Sequence, residues 1–543
     1  MRTFGRWLDR HVLSLGREMR LSYLPPLMVY AAYGVSGLTN IVGTFFVKDY
    51  LGLSPAALSA LGFWVAIPWA LKMPIGHIVD LLWRWKGWLV GLGAGFLSAS
   101  LGIMALLVGH RDAMTQVLPA EVWYIVSTLL APFGYVIQDA VADAMTVDAV
   151  PSIDDEGRPL DPPTLKLMHT TMQTLSRLVI VAGRIVVALI NVYVFRETEG
   201  LPQTALIALF ERVYQIAFVI PVISLLGVAL GWWMKRREKV RLIAAGHSVE
   251  QVEQMVEAKD SQDTAVGPNW WVLGGSSAFF AFTLTVGLGG VPYREEMVFI
   301  GSMAIVVFLL SRLIRELEPD ARRLLIGTAI VIFAQRAVPG PGPGVTWWMI
   351  DELKFDQQFL SVLSIIGSLM ALVGLFVLRS WMADCSIASV VAVLTIVSTI
   401  VVAPVAAMYY GLHEWTARVT GGLVDARGIA LVDTALESPL VQISMIPALA
   451  WIANSAPANL KATFFAVMSS FTNLAISLGQ LGTKYLNEIY VVTREVKDQT
   501  SGAVQSPADY SQLGHLLIAQ LVLGLAIPFA AIQFTRMTRF RSA

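Results

Sequence analysis

Cysteine is nearly absent: Cys385 is the only one in 543 residues, which excludes a disulfide framework and any cysteine metal site. Charge is scarce too. Asp, Glu, Lys and Arg make up 14% of the chain, against roughly 25% in ordinary soluble proteins. The 39 basic residues balance 39 acidic ones, so the chain offers no net field for a nucleic acid. Seven histidines, His77 and His169 among them, show no ligand spacing, and no metal is expected. No Gly-Lys-Ser/Thr phosphate loop occurs, which argues against an ATP-driven pump. No nucleophile with its base stands out, so neither enzymatic catalysis nor a cofactor is expected. What the chain has is apolar length: 56% of its residues are hydrophobic and its mean hydropathy is +0.64. A soluble multidomain enzyme and a disordered chain are excluded, which leaves an all-α polytopic membrane protein.

About 20 apolar residues cross the roughly 30 Å of hydrocarbon in a bilayer. That ruler gives six spans at 24–46, 56–81, 87–108, 122–147, 170–194 and 213–233, then two at 270–291 and 297–314. Six more follow at 324–350, 359–378, 387–408, 439–456, 462–481 and 513–534, for fourteen in all. The expected organisation is a basic segment 1–20, a six-helix bundle 21–234, a linker 235–268, an inserted hairpin 269–318 and a second six-helix bundle 319–543. This layout resembles the major facilitator superfamily with two helices added, an architecture whose substrate path lies between the bundles near the midplane. The inserted pair carries Ser276 and Ser277 but no acidic residue at depth, and reads as peripheral packing.

Basic residues cluster at Arg2, Arg6, Arg10, Arg17 and Arg20, and at Lys235, Arg236, Arg237, Lys239 and Arg241. Excess positive charge stays inside, so both termini are expected in the cytoplasm. The first cluster lacks the cleavage site of a signal peptide; it suits a helix on the anionic inner surface or a solvated tail. Without a transit-peptide pattern, a bacterial inner membrane is the expected location.

An ionisable side chain at membrane depth is expensive, so each is a functional candidate. The fourth span carries Gln138, Asp139 and Asp143, with Asp148 just past its end; the fifth carries Gln173, Arg177 and Arg184. Asp139 and Asp143 are four apart and share a helix face, as do Gln173, Arg177 and Arg184. From the span ends, Asp139 lies roughly 15 Å and Arg177 roughly 12 Å above the cytoplasmic surface, a level at which each could neutralise the other. Arg184 lies higher without an acidic partner and is expected to face a wet cavity or an anionic ligand. The alternative for these charges is a structural clasp between the two spans.

Between the second and third spans, Gly76 and Asp80 with Arg84 and Lys86 follow the superfamily's Gly-x-x-x-Asp and basic loop, which holds the inward gate closed. Lys72, deeper in the second span, either pairs with Asp139 or Asp143 or snorkels to the interface. In the ninth span Gln335 and Arg336 precede Pro339, Pro341 and Pro343 alternating with glycines. That run cannot be regular helix; it is a gate near the outer mouth or an irregular loop end. The tryptophan pairs Trp232 and Trp233, Trp270 and Trp271, and Trp347 and Trp348 read as interfacial anchors.

Several strings together resemble the folate–biopterin transporter family. They are FFVKDYLGLSPAAL followed by PWALKMPIGHIVD, the fourth-span Asp139-Ala-Val-Ala-Asp143-Ala-Met, and the segment with Pro457, Ala462, Thr463, Ala466, Ser469 or Ser470, and Asn473. Lys461 departs from the pattern, which has an acidic residue there, and the inserted spans exceed the family's twelve-helix plan. The resemblance implies proton-coupled uptake of folates or pterins, with Lys72, Asp139 and Asp143 as functional positions. A pterin edge pairs with a carboxylate and a glutamate tail asks for arginine. The leading expectation is therefore a proton symporter of an organic anion. Asp139 and Asp143 would carry the proton. Lys72, Gln138, Gln173, Arg177, Arg184, Arg336 and Asn473 would contact substrate, and Gly76, Asp80, Arg84, Lys86 and Asp148 would gate. The rivals are a fourteen-span efflux antiporter, against which the fifth span lacks a Gly-Pro-rich signature, and a non-transporting assembly or pigment-delivery factor on the same fold.

Overall fold

Helices start and stop where the local chemistry tells them to. Ser54 accepts the backbone N–H of Ala57 (3.1 Å) and Pro55 fills the first helical position, an N-terminus made by a capping hydroxyl and a preset φ. In a computed structural model of the protein, the described residues are 19–150, 161–198, 201–244, 248–249, 251, 270–289, 291–377, 386–455, 461–497, 504–538 and 540. Cys385, Pro457 and most of the segments 1–20 and 235–268 lie outside them.

Helix falls at each expected apolar stretch. The first stretch is α1 (Leu24–Gly34), a tight turn Val35–Thr39 and α2 (Asn40–Tyr50); the second is α3 (Pro55–Ala70) and α4 (Lys72–Leu81). Pro74 has no N–H for the carbonyl of Ala70, so the helix steps at Leu71. Next come α5 (Lys86–Gly109), α6 (Ala120–Ala149) and α7 (Pro162–Val194), then α8 (Gln203–Ala217) and α9 (Val219–Ala244), divided just before Pro221. Helix α9 runs well into the stretch expected as linker, because its basic tail is made of good helix formers. The hairpin is α10 (Trp270–Leu288) and α11 (Arg294–Leu313). The remainder is α12 (Pro319–Arg336), α13 (Gly344–Asp351), α14 (Gln357–Val377), α15 (Ile387–Tyr409), α16 (Leu412–Val419), α17 (Ala426–Ser455), α18 (Lys461–Ile489) and α19 (Leu513–Met537). A two-stranded antiparallel hairpin, β1 (Val496–Lys497) with β2 (Val504–Ser506), joins α18 to α19; hydropathy gave no sign of it.

Among the described residues, seven stretches are long and apolar enough to cross a membrane: Lys86–Gly109, Ala120–Thr146, Thr174–Val194, Gln203–Ala244, Gln357–Gly374, Ile387–Tyr409 and Leu513–Met537. Of the fourteen spans expected, the described residues thus support seven by crossing length and hydropathy. Pro55–Ala70 and Leu273–Gly287 are apolar but shorter.

In the first half α5 lies along α6 while α1 packs on α7 and α9; in the second, α14 lies along α17 and α15 packs on α17 and α19. Two seams join the halves, α3 with α18 and α7 with α14. Backbones touch where α1 meets α7: a Cβ on Gly34 would lie 2.8 Å from the carbonyl oxygen of Ile180, and one on Gly183 would lie 2.7 Å from the carbonyl carbon of Gly34. Only glycine permits that approach.

The inserted hairpin lies across the α3–α18 seam and is pinned to both sides. Trp64 Nε1 on α3 donates to Glu295 Oε1 (3.1 Å), while Lys484 Nζ on α18 lies 3.4 Å from both Glu295 Oε2 and Glu296 Oε1. Tyr485 also donates to Glu296. The pair expected to be peripheral packing therefore also carries the acids that tie the seam. Glu295→Ala leaves Trp64 and Lys484 without their shared acceptor, and is expected to cost about 1–3 kcal/mol, seen as a lower thermal midpoint in detergent. An unchanged midpoint would mean these contacts do not hold the seam.

Candidate functional site

The helix step at Leu71 turns Lys72 toward α6. Its Nζ donates to Asp139 Oδ2 (2.6 Å) and lies 2.7 Å from Asp143 Oδ2. Tyr30 of α1 donates its hydroxyl to the other oxygen of Asp143. One ammonium thus serves two carboxylates that share a helix face, and a phenol completes the shell. Of the two routes open to Lys72, pairing is the one taken. The expected neutralisation of Asp139 by Arg177 is corrected: Arg177 is exposed and acts on both carboxylates through space without an ion pair, because Lys72 already occupies their inner face.

An aromatic layer covers this cluster. Tyr33 packs edge-on against Trp69 (5.9 Å between centroids) and Tyr135 (5.5 Å). Tyr30 and Asp139 each sit one helical turn from Tyr33 and Tyr135, on the side where α1 begins, because three or four residues return to the same face, and Lys72 follows Trp69 across the step at Leu71. Above the layer, two adjoining cavities of about 750 and 850 Å³ share Tyr33, Ser36, Asn40, Thr44 and Thr346. Trp69 and Tyr135 line the larger. Their size suits a small organic ligand.

Arg184 lines the smaller cavity and, among the described residues, makes no ion pair or hydrogen bond. The Gly34–Gly183 contact holds this part of α7 against α1. The wall is built by both halves, since Ser364, Ser368, Thr434 and Glu437 face the same space. Sequence reasoning missed Glu437 and its neighbour Asp433. Their four-residue spacing was legible, but the expected span began only at Pro439, which left both acids outside it. In fact α17 runs through Pro439, whose ring lies against Gly374 of α14.

Other expected site residues lie elsewhere. Gln138 is buried, donating to the carbonyl of Val90 (3.3 Å) and accepting from Ser224 (3.2 Å); its amide is spent on packing and it lines neither cavity. Asn473 donates to the carbonyl of Trp69 (2.9 Å), stitching the α3–α18 seam. Arg336 ends α12, and residues 337–343 form the expected break, with Gly342 at φ 77°; the arginine lines neither cavity. Lys86 Nζ stacks 3.8 Å over the Trp83 ring, and Gly76 faces open space. The side chains of Gln173, Asp80, Arg84, Asp148 and Lys461 lie outside the described residues.

The opposite end, where α2 finishes, is sealed across the halves. Lys48 is buried, 2% exposed, and forms an ion pair with Asp351 at the end of α13 besides lying 3.1 Å from Asp49. Tyr510 donates to Asp351 and Arg494 to the carbonyl of Leu53; the guanidinium lies 4.6 Å over the Trp347 ring. Burial lowers the Arg494 pKa to about 10, so the charge persists at neutral pH. Burial and the Asp351 carboxylate push the Tyr510 phenol up. Phe46, Leu51, Trp347, Met408, Val492 and Leu513 form one apolar cluster around these groups, each large side chain worth about 1.5–3 kcal/mol. Sequence could show Lys48 and Asp351 only as isolated charges.

The model of the BT1 family matches residues 33–538. A folate-biopterin transporter of Synechocystis sp. is 41% identical over 100 residues, which cover 17% of this chain and 20% of that relative. The chain thus spans about a fifth of the length of the curated relative it matches. A POT family transporter in complex with 5-aminolevulinic acid superposes with a TM-score of 0.58 at 10% identity, covering 95% of this chain and 96% of that one. The nucleoside transporter NupG gives 0.54 at 13% identity, covering 95% and 99%. At such identities the likeness is one of fold, and it is the major facilitator fold expected from the span pattern.

Lys72→Met would leave Asp139 and Asp143 without their cation. Because the three side chains are only partly buried, with Asp143 42% exposed, the expected loss is about 1–3 kcal/mol, measured as a fall in thermal midpoint. Adding Asp139→Asn and Asp143→Asn to Lys72→Met should recover most of it, because a half-buried cluster without charge has little to neutralise. No recovery would show that Lys72 acts through packing rather than charge.

Proposed function

The chain belongs to the BT1 family, the folate–biopterin transporter family its motifs resemble, and from that premise we propose that this integral membrane protein carries a folate- or pterin-like organic anion together with protons. The observation that carries the reading is Arg184: a cation without an ion-pair partner among the described residues, on the wall of a cavity that both halves build. An arginine so placed asks for a carboxylate. Arg177, exposed two turns away on the same helix face, gives the anion a second attractive charge.

Proton coupling rests on the Lys72 cluster. Two carboxylates and one ammonium leave one negative charge in excess, and a proton on Asp139 or Asp143 removes it. Protonation weakens the grip of α6 on Lys72, which sits at the start of α4 beside the step at Leu71 and is free to move with it. The aromatic layer keeps this exchange apart from the solute. Alternating access then needs a barrier at each end. Lys48–Asp351 with Arg494 serves at the sealed end; Gly76, Asp80, Arg84, Lys86 and Asp148 serve at the other. Both termini lie in the cytoplasm on this reading, the host membrane is a bacterial inner membrane, and the direction is uptake.

In proteoliposomes loaded with the purified protein, Asp139→Asn is expected to lower pH-driven uptake of labelled folate by about tenfold or more while folate binding persists. Unaltered pH-driven uptake would remove the proton assignment, and export in place of uptake would reverse the direction. A second measurement addresses the sealed end. Lys48→Cys with Asp351→Cys, bridged by a short bis-methanethiosulfonate, should halt transport until a reductant is added; transport that continues across the bridge would mean this end does not open.

A further inference from the structure

The cavity that holds Arg184 has a second pole. Glu437 on α17 lines it from the other half and, among the described residues, makes no ion pair or hydrogen bond. No ion pair joins it to Arg184, so the two charges face the same space unspent. A third group points to a missing ligand. Asn191, two turns along the same face of α7 from Arg184, is 2% exposed and lines this cavity, yet its Oδ1 is buried without a donor among the described residues. A buried acceptor left unpaired costs about 1–3 kcal/mol, a cost that a bound N–H donor would remove. Asp433, one turn before Glu437, likewise has a buried Oδ1 without a donor.

The polar inventory is therefore asymmetric. Arg184 supplies donors only and an ionised Glu437 acceptors only, while Asn191 adds an unpaired acceptor oxygen beside its own NH2 donors. We infer that Glu437 is a substrate-recognition residue that takes a paired N–H edge, while Arg184 takes a carboxylate at the far end of the same molecule. This deepens the transport reading above and rests on it. The ligand class is a long, flat organic anion with an aminopyrimidinone-type donor pair at one end, since a carboxylate accepts two parallel N–H bonds from such an edge. Either half of the protein alone holds only one end. A complete ligand bridges the α7 wall and the α17 wall and draws the halves together.

Three probes separate the ends: folic acid, with both; biopterin, with the donor edge alone; and p-aminobenzoylglutamate, with the carboxylates alone. Binding is read by calorimetry on the full-length protein in detergent. A hydrogen bond to a charged group is worth about 10- to 100-fold in affinity. Glu437→Gln is expected to weaken folic acid and biopterin by about tenfold or more and to leave p-aminobenzoylglutamate unaffected, which also shows that the variant is folded. Arg184→Gln should do the reverse. Independently of any variant, saturating p-aminobenzoylglutamate should leave biopterin binding to the unaltered protein intact, whereas folic acid displaces both. Equal weakening of the two fragments by Glu437→Gln, or competition between the fragments, would overturn this assignment and leave the transport reading standing. Failure of all three probes to bind the unaltered protein would overturn the folate reading, and this one with it.

Discussion

One ammonium shared by two carboxylates is the constraint around which the first half is arranged. A buried charge without a partner costs several kcal/mol, so α4 and α6 are held together wherever Lys72 meets Asp139 and Asp143. The step at Leu71 exists because Pro74 withholds an N–H, and that step directs Lys72 at the acids rather than along the helix axis. Tyr30 adds α1 to the same contact. Three helices thereby converge on one point, and their next turns bring Tyr33, Trp69 and Tyr135 together without further instruction.

That aromatic layer divides the interior into two chemistries. On one side the charges compensate one another at contact distance. On the other, in the cavities, Arg184 and Glu437 have no ion-pair partner among the described residues. The contrast is informative because the same low dielectric acts on both. Where charges are mutually satisfied they hold the protein together; where they are not, the stabilisation is deferred to something that arrives. The sealed end repeats the first pattern, with a buried Lys48 paired to a half-buried Asp351 among aromatic side chains contributed by both halves.

Much of this was legible in the sequence, and the residues show why the rest was not. Hydropathy located the helices because crossing length is a local property, and the proline run at 339–343 announced its own break. The four-residue spacing of Asp139 and Asp143 correctly put both on one face. What spacing could not give was the partner. Arg177 was the nearer candidate by depth, yet Lys72 won because a proline-induced step, invisible to a depth estimate, turned it inward. Pairs such as Lys48 with Asp351, or Trp64 with Glu295, join distant parts of the chain, and nothing local encodes them. Glu437 was overlooked for a different reason: the expected span began at Pro439, and only a glycine on the neighbouring helix, Gly374, makes room for that proline in mid-helix.

The glycine contact between α1 and α7 carries a mechanical corollary. Backbones pressed together at Gly34 and Gly183 leave no side chain to repack, so Tyr33 and Arg184, each next to one of these glycines, are held as a single stiff plate. A solute resting on that plate alone is gripped equally well whichever way the opposite half is tilted. Such a molecule has no leverage on the tilt and is an occupant rather than a passenger.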